Sequence, residues 1–311
     1  MTIILRDVND MAPEFVTPSE LVVAENTPVN TVVMAVKAID RDEGRNSYIE
    51  YSLKPVPDDR FTLGPVDGLL QIAGPLDRES RANYSLVVTA RDRGSPPNAK
   101  TLTINLRIAD ENDNSPIFDP KQYSASVPEN ASIGLSVLQV SATDTDEHLN
   151  GRVRYSIVAG DKNRDFFIGE DTGVIRVAKN LNYERRNHYL LTVQAEDSGG
   201  DVRYDSATVT ISIMDINDNA PVFLDSPYLV NVMENMRGLP TSIATVTAFD
   251  ADNPPYNRVN YLVKDGDKSM FAVNASSGEI SLLKALDRED QQHYSLTVVA
   301  IDSGEYYSFY S

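Results

Sequence analysis

Three copies of the string Asp-x-Asn-Asp, each with a proline three residues further on, limit what this chain can fold into more than any other feature. They are Asp7-Val-Asn9-Asp10 with Pro13, Asp110-Glu111-Asn112-Asp113 with Pro116, and Asp215-Ile216-Asn217-Asp218 with Pro221. The openings lie 103 and 105 residues apart. Four more landmarks return in one order at nearly the same period. Glu-Asn falls at Glu25-Asn26, Glu129-Asn130 and Glu234-Asn235, and Asp-x-Asp at Asp40/Asp42, Asp144/Asp146 and Asp250/Asp252. A Leu-Asp-Arg-Glu type string covers Leu76 to Glu79, Leu181 to Glu184 and Leu286 to Glu289; Ala-x-Asp ends the series at Ala90/Asp92, Ala195/Asp197 and Ala300/Asp302. Self-similarity at a fixed period marks tandem copies of one structural unit. The boundaries it sets are residues 1–13 as the last strand and linker of a preceding repeat, then repeats over 14–116, 117–221 and 222–311. The third is expected to stop at Tyr306 to Ser311 before its last strand, leaving an unpaired sheet edge, and both ends read as cut from something longer.

Inside each copy the pattern is β. Tyr84, Leu86, Val88 and Ala90 alternate with more polar neighbours, as do Tyr189, Leu191, Val193, Ala195 and Tyr294, Leu296, Val298, Ala300, so each stripe lines one face of a strand. A second strand follows at Leu102, Ile104, Leu106, Ile108, with its counterpart at Ala207, Val209, Ile211, Ile213. Asp67-Gly68, Thr172-Gly173 and Ser277-Gly278 are turn signals. Many short alternating strands with no amphipathic helix predict an all-β chain of antiparallel sandwiches.

The acids sit where those strands end. Asp92 shares the parity of inward Ala90, and Asp110 that of inward Ile108, so each strand leaves the core and delivers a carboxylate to the pole of its sandwich. Consecutive domains meet at such poles, which would gather acids from one domain, the linker and the next domain. Like charges a few ångströms apart cost about 1–4 kcal/mol per pair at effective dielectrics of 80 to 20. A hard divalent cation removes that cost. Calcium suits the donor set, because it accepts six to eight oxygens in flexible geometry whereas magnesium demands a strict octahedron.

Composition sharpens the exclusions. With 28 Lys plus Arg against 46 Asp plus Glu, the formal net charge is −18, which disfavours nucleic acid and anionic membrane as partners. There is no Cys, so disulfides, thiolate chemistry and Cys-bound zinc are out. No stretch approaches the ~20 apolar residues of a membrane span, and Met1-Thr-Ile-Ile-Leu is no signal peptide.

Landmarks in this order over essentially the whole chain resemble the cadherin repeat. The resemblance implies a seven-stranded Greek-key, immunoglobulin-like sandwich per repeat and about three Ca²⁺ at each complete junction. At the first junction it implies an outermost ion held by Glu25, Asp77, Glu79 and Asp113. The middle ion would share Glu25, Glu79 and Asp113 and add Asp110, the Glu111 carbonyl and Asp146. The third would take Asn112, Asp144, Asp146 and Asp197 with the carbonyls of Asn114 and Asn150. At the second junction the matching positions are Glu129, Glu184, Asp215, Ile216, Asn217, Asp218, Asn219, Asp250, Asp252, Asn257 through its carbonyl, and Asp302. Asn182 departs there, standing where Asp77 and Asp287 stand in the other repeats, so a weaker or absent outermost ion is expected. The N-terminal half-junction would hold the third-type ion on Asn9, Asp40, Asp42, Asn46 and Asp92, with Met11 lending only a carbonyl. Glu234, Asp287 and Glu289 form the opposite half-site.

An enzyme is the main rival reading, since Asp77/Glu79 or Asp40/Asp42 could serve as a hydrolase's acid and base. The same acids recur three times, however, and His148, His188 and His293 fall at unrelated landmarks, with no Ser-His-Asp order. No small-molecule substrate is expected. A metal-independent matrix array is the other rival. Asn83, Asn130 and Asn274 open glycosylation sequons, of which Asn130, beside Glu129, has the stronger structural claim. The resemblance implies calcium-dependent adhesion, often homophilic, between same or related cadherin ectodomains on apposed or shared cells. It places the chain on the extracellular side of the plasma membrane, as part of a rod whose parent spans the membrane once. With no Trp, these repeats cannot house strand exchange anchored by one. They look like internal repeats of a long non-classical or protocadherin-like member.

Overall fold

The computed structural model describes residues 1–55, 59–225, 227–303 and the backbone of 307–310. Tyr306 and Ser311, which bound the expected end of the third repeat, lie outside the described residues. Among them there is no helix, and the chain is a series of β-sandwiches. It divides into two compact units. The first holds Met1–Asp119, Ala142–Arg154 and Ala195–Asp205; the second holds Pro120–Ser141, Tyr155–Gln194 and Ser206–Ser311.

The first repeat contains β1 (Glu14–Phe15), β2 (Glu20–Ala24), β3 (Val32–Ala35), β4 (Ala38–Ile39) and β5 (Glu50–Leu53). It continues with β6 (Phe61–Leu63), β7 (Leu69–Ile72), β8 (Asn83–Arg91) and β9 (Ala99–Ala109). One sheet runs β2-β9-β8-β5 and the facing one β3-β7-β6, with β1 paired to β4. Since β1 and β2 are halves of one edge strand that changes sheets, and β3 and β4 halves of the next, this is a seven-stranded Greek key. The Tyr84–Ala90 stripe is fully inside, and Ile104, Leu106 and Ile108 of β9 pack in the same core.

The second repeat repeats the plan through β10 (Ile117–Phe118), β11 (Gln122–Pro128), β12 (Ser136–Gln139), β13 (Ala142–Thr143) and β14 (Arg154–Ala159). There follow β15 (Phe166–Ile168), β16 (Val174–Val177), β17 (His188–Glu196) and β18 (Tyr204–Met214). Its sheets are β11-β18-β17-β14, β12-β16-β15 and β10-β13. Tyr189, Leu191, Val193 and Ala195 are wholly buried. Asp165, also without solvent exposure, accepts from Tyr189 Oη at 2.8 Å and from Arg185 Nη2 at 3.2 Å, so the charge goes below the surface only with both partners in place.

In all three repeats the expected turn glycine adopts a left-handed backbone, with φ of 66° at Gly68, 65° at Gly173 and 72° at Gly278. A Cβ there would meet the carbonyl oxygen of Val36, Val140 or Val246 at 2.1 to 2.3 Å, so nothing larger fits.

The third repeat departs from the plan. Its strands are β19 (Val222–Phe223), β20 (Thr241–Thr245), β21 (Ala248–Phe249), β22 (Asn260–Asp265), β23 (Phe271–Val273), β24 (Glu279–Leu282), β25 (Thr297–Ile301) and β26 (Tyr307–Tyr310). The reading that it stops short of its final strand is corrected in part. β26 pairs antiparallel with β25, Val298 opposite Tyr310 and Ile301 opposite Tyr307, so the strand begins. What is missing is the counterpart of β2. In the first repeat β2 pairs in parallel with Asn105–Ala109, the far half of β9; the same register in the third repeat runs past Ser311. Tyr228–Met233 therefore forms no strand, and Leu229 and Met233 are exposed. Tyr294 and Leu296 of the third stripe are only half buried and precede β25. A second correction concerns residues 1–13, read as a strand and linker: no strand forms there, and Ile3, Ile4 and Leu5 are exposed. A lone segment has no ladder in which to place its amides.

Candidate metal centres at the repeat junctions

The first two repeats build the same cradle from one buried glutamate, and the third offers an exposed counterpart. Glu25 directly follows β2 and is 3% exposed, and its two oxygens accept from Arg78 N at 2.8 Å and Glu111 N at 2.8 Å. Glu129 does the same with Tyr183 N at 2.7 Å and Ile216 N at 2.9 Å. Glu234 accepts from Arg288 N at 2.9 Å. The glutamate thus pins the Leu-Asp-Arg-Glu loop and the linker to one point.

The linker aspartate does the equivalent for the following repeat. Asp110 Oδ2 accepts from Glu147 N at 3.0 Å and Asn150 Nδ2 at 2.9 Å, and Asp215 Oδ2 accepts from Asn253 N at 2.7 Å. Asp7, absent from the sequence-derived ligand set, repeats this with Glu43 N and Asn46 Nδ2, both at 2.9 Å. The Asp-x-Asp turns close on themselves, Asp42, Asp146 and Asp252 each donating a backbone N–H to the first aspartate at 3.0 Å. Met11 N, Asn114 N and Asn219 N reach the second aspartate at 3.2, 3.2 and 3.4 Å. Asn9 and Asn112 donate their amides to Asp92 and Asp197 at 3.2 and 3.1 Å.

These loops bring carboxylate oxygens together in groups whose members all lie within 4.8 Å of one another: Glu25, Glu79 and Asp113; Glu79, Asp110 and Asp146; Glu129, Glu184 and Asp218; Glu184, Asp215 and Asp252; Glu234, Asp287 and Glu289. Each of these five groups is composed of residues the sequence singled out. Asp77 and Asn182, at matching positions, both spend oxygens on their own loop. Asp77 is turned toward its own loop, accepting from Ser80 Oγ at 2.7 Å, and that bond holds its carboxyl below the usual range. Asn182 Oδ1 accepts from Arg185 N at 2.6 Å while its amide donates to Glu184 at 2.9 Å. Asn257 is half-buried in the loop after Asp252, and Asp302 is buried at the end of β25.

Do these residues fit a hard cation? Their unpartnered atoms say so. Asn9 Oδ1, Asp40 Oδ2, Asn112 Oδ1, Asp144 Oδ2, Asp215 Oδ1 and Asp250 Oδ2 are buried oxygens with no hydrogen-bond partner. All six belong to the proposed ligand set, while a seventh such oxygen, Asp161 Oδ1, lies away from it. Buried acceptors are ordinarily satisfied, so an orphaned set at equivalent positions calls for a partner that brings positive charge. The titrations agree. Burial, then the nearby Glu25 and Asp113 charges, push Glu79 up to about 7. Burial also raises Asp113, Asp144, Glu184, Asp215, Asp218 and Asp250, with neighbouring carboxylates adding to it. Carboxylates, amide oxygens and carbonyls with no sulfur are the donors of a calcium site.

A pH dependence follows. The raised folded value of Glu79 means that its contribution to stability is complete below the ordinary carboxylate range and is lost as pH rises through about 7. In chelator, acidification from pH 8 to 6 is expected to stabilise the protein, by a fraction of ~1 kcal/mol from this group because this exposed residue is screened by solvent. With calcium present the same acidification is expected to weaken binding, because protons compete for the ligands. Thermal melts at the two pH values, with and without chelator, check both signs.

Besides Asp7, three participants escaped the sequence reading. Gly94 and Gly199 each follow an Ala-x-Asp by two residues. A Cβ on Gly94 would lie 2.2 Å from the Asn9 amide, and one on Gly199 2.4 Å from Asn112 Nδ2. The recurrence of Asp-x-Gly was their available signal. The third, Arg78, has its guanidinium among the acids, and no ligand pattern flags it. Of the sequon asparagines, Asn83, Asn130 and Asn274 are all exposed. Asn274 Oδ1 is engaged in its own turn by Ser276 N and Ser277 N.

Comparison with known proteins gives a consistent picture. The family described as Cadherin domain matches residues 19–109, 123–214 and 228–309. Protocadherin Fat 4 of Mus musculus is 44% identical over 304 residues, covering 98% of this chain and 6% of that protein. The protocadherin-like wing polarity protein stan of Drosophila melanogaster is 38% identical over 309 residues, covering 96% of this chain and 8% of that protein. Among solved structures, mouse cadherin-23 EC22-24 superposes with a TM-score of 0.84 at 32% identity, covering 97% of both chains. The chain spans 6% of the length of one of these curated relatives and 8% of the other.

Proposed function

This chain belongs to the cadherin family, and from that premise we propose that its repeats are a calcium-stiffened extracellular segment of a cell–cell adhesion protein. Kinship with adhesion cadherins supports an adhesion-related extracellular role and gives no support to catalysis. No helix among the described residues is long and apolar enough to cross a membrane. The parent protein is proposed to supply the single span, on the outer side of the plasma membrane, and to adhere through the same or related cadherin ectodomains.

The observation that carries the calcium reading is the set of orphaned ligand oxygens, five of which recur at equivalent places: Asn9 and Asn112, and Asp40, Asp144 and Asp250. Calcium would supply the charge that lets Glu25, Glu79, Asp110, Asp113 and Asp146 sit together ionised at the first junction. Glu129, Glu184, Asp215, Asp218 and Asp252 would do this at the second. About three ions per complete junction is the proposed count. The chain's own residues contribute the cradle: Glu25 and Glu129 fix loop and linker, and Asp110 and Asp215 fix the next repeat's Asp-x-Asp turn.

The two junctions are proposed to differ. Asn182 brings no charge and presents an N–H to Glu184, so the outermost position of the second junction should be weaker. Asn182→Asp is expected to tighten calcium binding there about tenfold, which corresponds to the ~1.4 kcal/mol expected of one added ligand charge near the surface. Calorimetric titration of the full chain and the variant reads this directly, and equal affinities would sink it. For adhesion, beads coated with the parent ectodomain, with and without these repeats, should aggregate in millimolar calcium and disperse in chelator. Aggregation indifferent to chelator would overturn the calcium-dependent reading.

A further inference from the structure

The middle residue of the Asp-Arg-Glu tripeptide plays no part in the calcium reading, yet at the first junction it is one of the most enclosed charges in its unit. Arg78 is 9% exposed. Its Nε donates to Asp110 Oδ1 at 2.5 Å, its Nη2 to the Thr145 carbonyl at 2.8 Å and to Glu79, and its Nη1 pairs with Glu147 Oε1 at 3.3 Å. One side chain thereby joins the end of the first repeat, the linker, and the loop that opens the second. Asp110 carries the connection further through Glu147 N and Asn150 Nδ2.

The second junction makes the same connection with different chemistry. Tyr183 replaces Arg78, Asn253 replaces Glu147, and Asn253 Nδ2 donates to Tyr183 Oη at 2.9 Å. The exchanges are correlated: where the cation is lost, its acidic partner becomes neutral, and Asp77 becomes Asn182. In the third repeat Arg288, whose following repeat is not part of this chain, lies exposed and pairs with its neighbour Glu289.

We propose that the middle residue of the tripeptide and the residue immediately after the next Asp-x-Asp form a matched, metal-independent latch, Arg78 with Glu147 and Tyr183 with Asn253, that positions the two sides of each junction before calcium binds. Arg78 is a positioning residue. It holds Asp110 and Glu79 in place and supplies positive charge to an otherwise acidic cluster. Buried carboxylates deprived of a cation repel one another, so a junction without calcium needs such a counter-charge, or fewer acids, to stay closed. The first junction follows the former course and the second the latter.

The test uses the full 311-residue chain in chelator, with amide hydrogen exchange as the readout. The Glu147 amide, bonded to Asp110, reports the latch; the Leu86 and Val88 amides of β8 report the core. Arg78→Met is expected to speed exchange at Glu147 about tenfold or more while β8 stays within about twofold, a local opening rather than loss of the fold. Arg78→Lys, which keeps the charge but not the fork, should fall between. The paired variant Arg78→Tyr with Glu147→Asn, which installs the second junction's latch, should restore protection lost in Arg78→Tyr alone. Unchanged exchange at Glu147, equal acceleration in β8, or a paired variant no better than Arg78→Tyr would each overturn the latch. Adding millimolar calcium should bring the Arg78→Met rate back to within about twofold of the parent. That last arm rests on the calcium reading; if it fails while the chelator result holds, the latch stands and the calcium reading does not.

Discussion

Chelating calcium is expected to lower the melting temperature of the 311-residue chain by about 10 °C or more. The size follows from mass action. An ion that binds only the folded state at 100 times its dissociation constant adds about 2.7 kcal/mol, and 1 kcal/mol moves the midpoint of a 60–100-residue domain by about 4–8 °C. Even one such ion per junction clears the threshold. Repulsion adds to the effect, because burial first and neighbouring carboxylates second raise Glu79, Asp113, Asp144, Asp215 and Asp250. Wherever they stay ionised without a cation, they strain the fold. Calorimetric scans in millimolar calcium and in excess chelator decide the matter. Superimposable scans would reject calcium as a structural component and favour a metal-independent array.

Glu25→Ala is expected to be the most damaging single truncation at the first junction, and its effect should depend on calcium. Two backbone donors, Arg78 N and Glu111 N, lose their acceptor. A buried donor left unsatisfied costs about 1–3 kcal/mol, so the pair amounts to about 2–6. Against this stands relief: the substitution removes one carboxylate from the group with Glu79 and Asp113, worth about 1–4 kcal/mol per like-charged pair. In chelator the two effects oppose, and the net change should be small, about 0–2 kcal/mol. In calcium there is no repulsion to relieve and a shared ligand is lost, so the full penalty of about 3–5 kcal/mol should appear. Glu25→Gln keeps a carbonyl acceptor for one N–H and should fall between. Denaturant unfolding of the three proteins in both conditions measures the difference. A penalty identical in calcium and chelator would show that Glu25 is only a structural acceptor.

Much of this was legible in the chain itself. Period-two alternation placed Tyr84 to Ala90 and Tyr189 to Ala195 inside, because a strand with one face in a sandwich core must put every second residue there. The recurring acids located the poles, since a strand's parity continues past its last core residue to the carboxylate at its end. Two kinds of information were hidden. Strand pairing beyond the chain was one: Tyr228–Met233 reads like Glu20–Ala24, but whether it becomes a strand depends on a partner segment, not on its own residues. Side chains acting on ligands without being ligands were the other. Arg78 looks like surface charge, and Gly94 and Gly199 look like turn residues, until the loops are folded and the guanidinium and the bare Cα are found against the acids and amides. Asn182 was the reverse case. Its neutral amide was visible in the sequence, and the fold added that it spends its oxygen on Arg185 N.

The parallel pairing of β2 with β9 governs how these repeats respond to being pulled. Tension applied along the chain enters a repeat near β2 and leaves it at the end of β9. Those strands run in the same direction, with Glu20 opposite Asn105 and Ala24 opposite Ala109. Pulled at opposite ends, they must slide past each other, which loads their hydrogen bonds together instead of opening them one after another. Seven residue pairs from Gln122 to Pro128 give the second repeat a longer version of the same clamp against β18. The third repeat, with no strand at Tyr228–Met233, has none among its described residues. Under force the second repeat, with seven such pairs against the five of the first, is expected to hold the longer of the two.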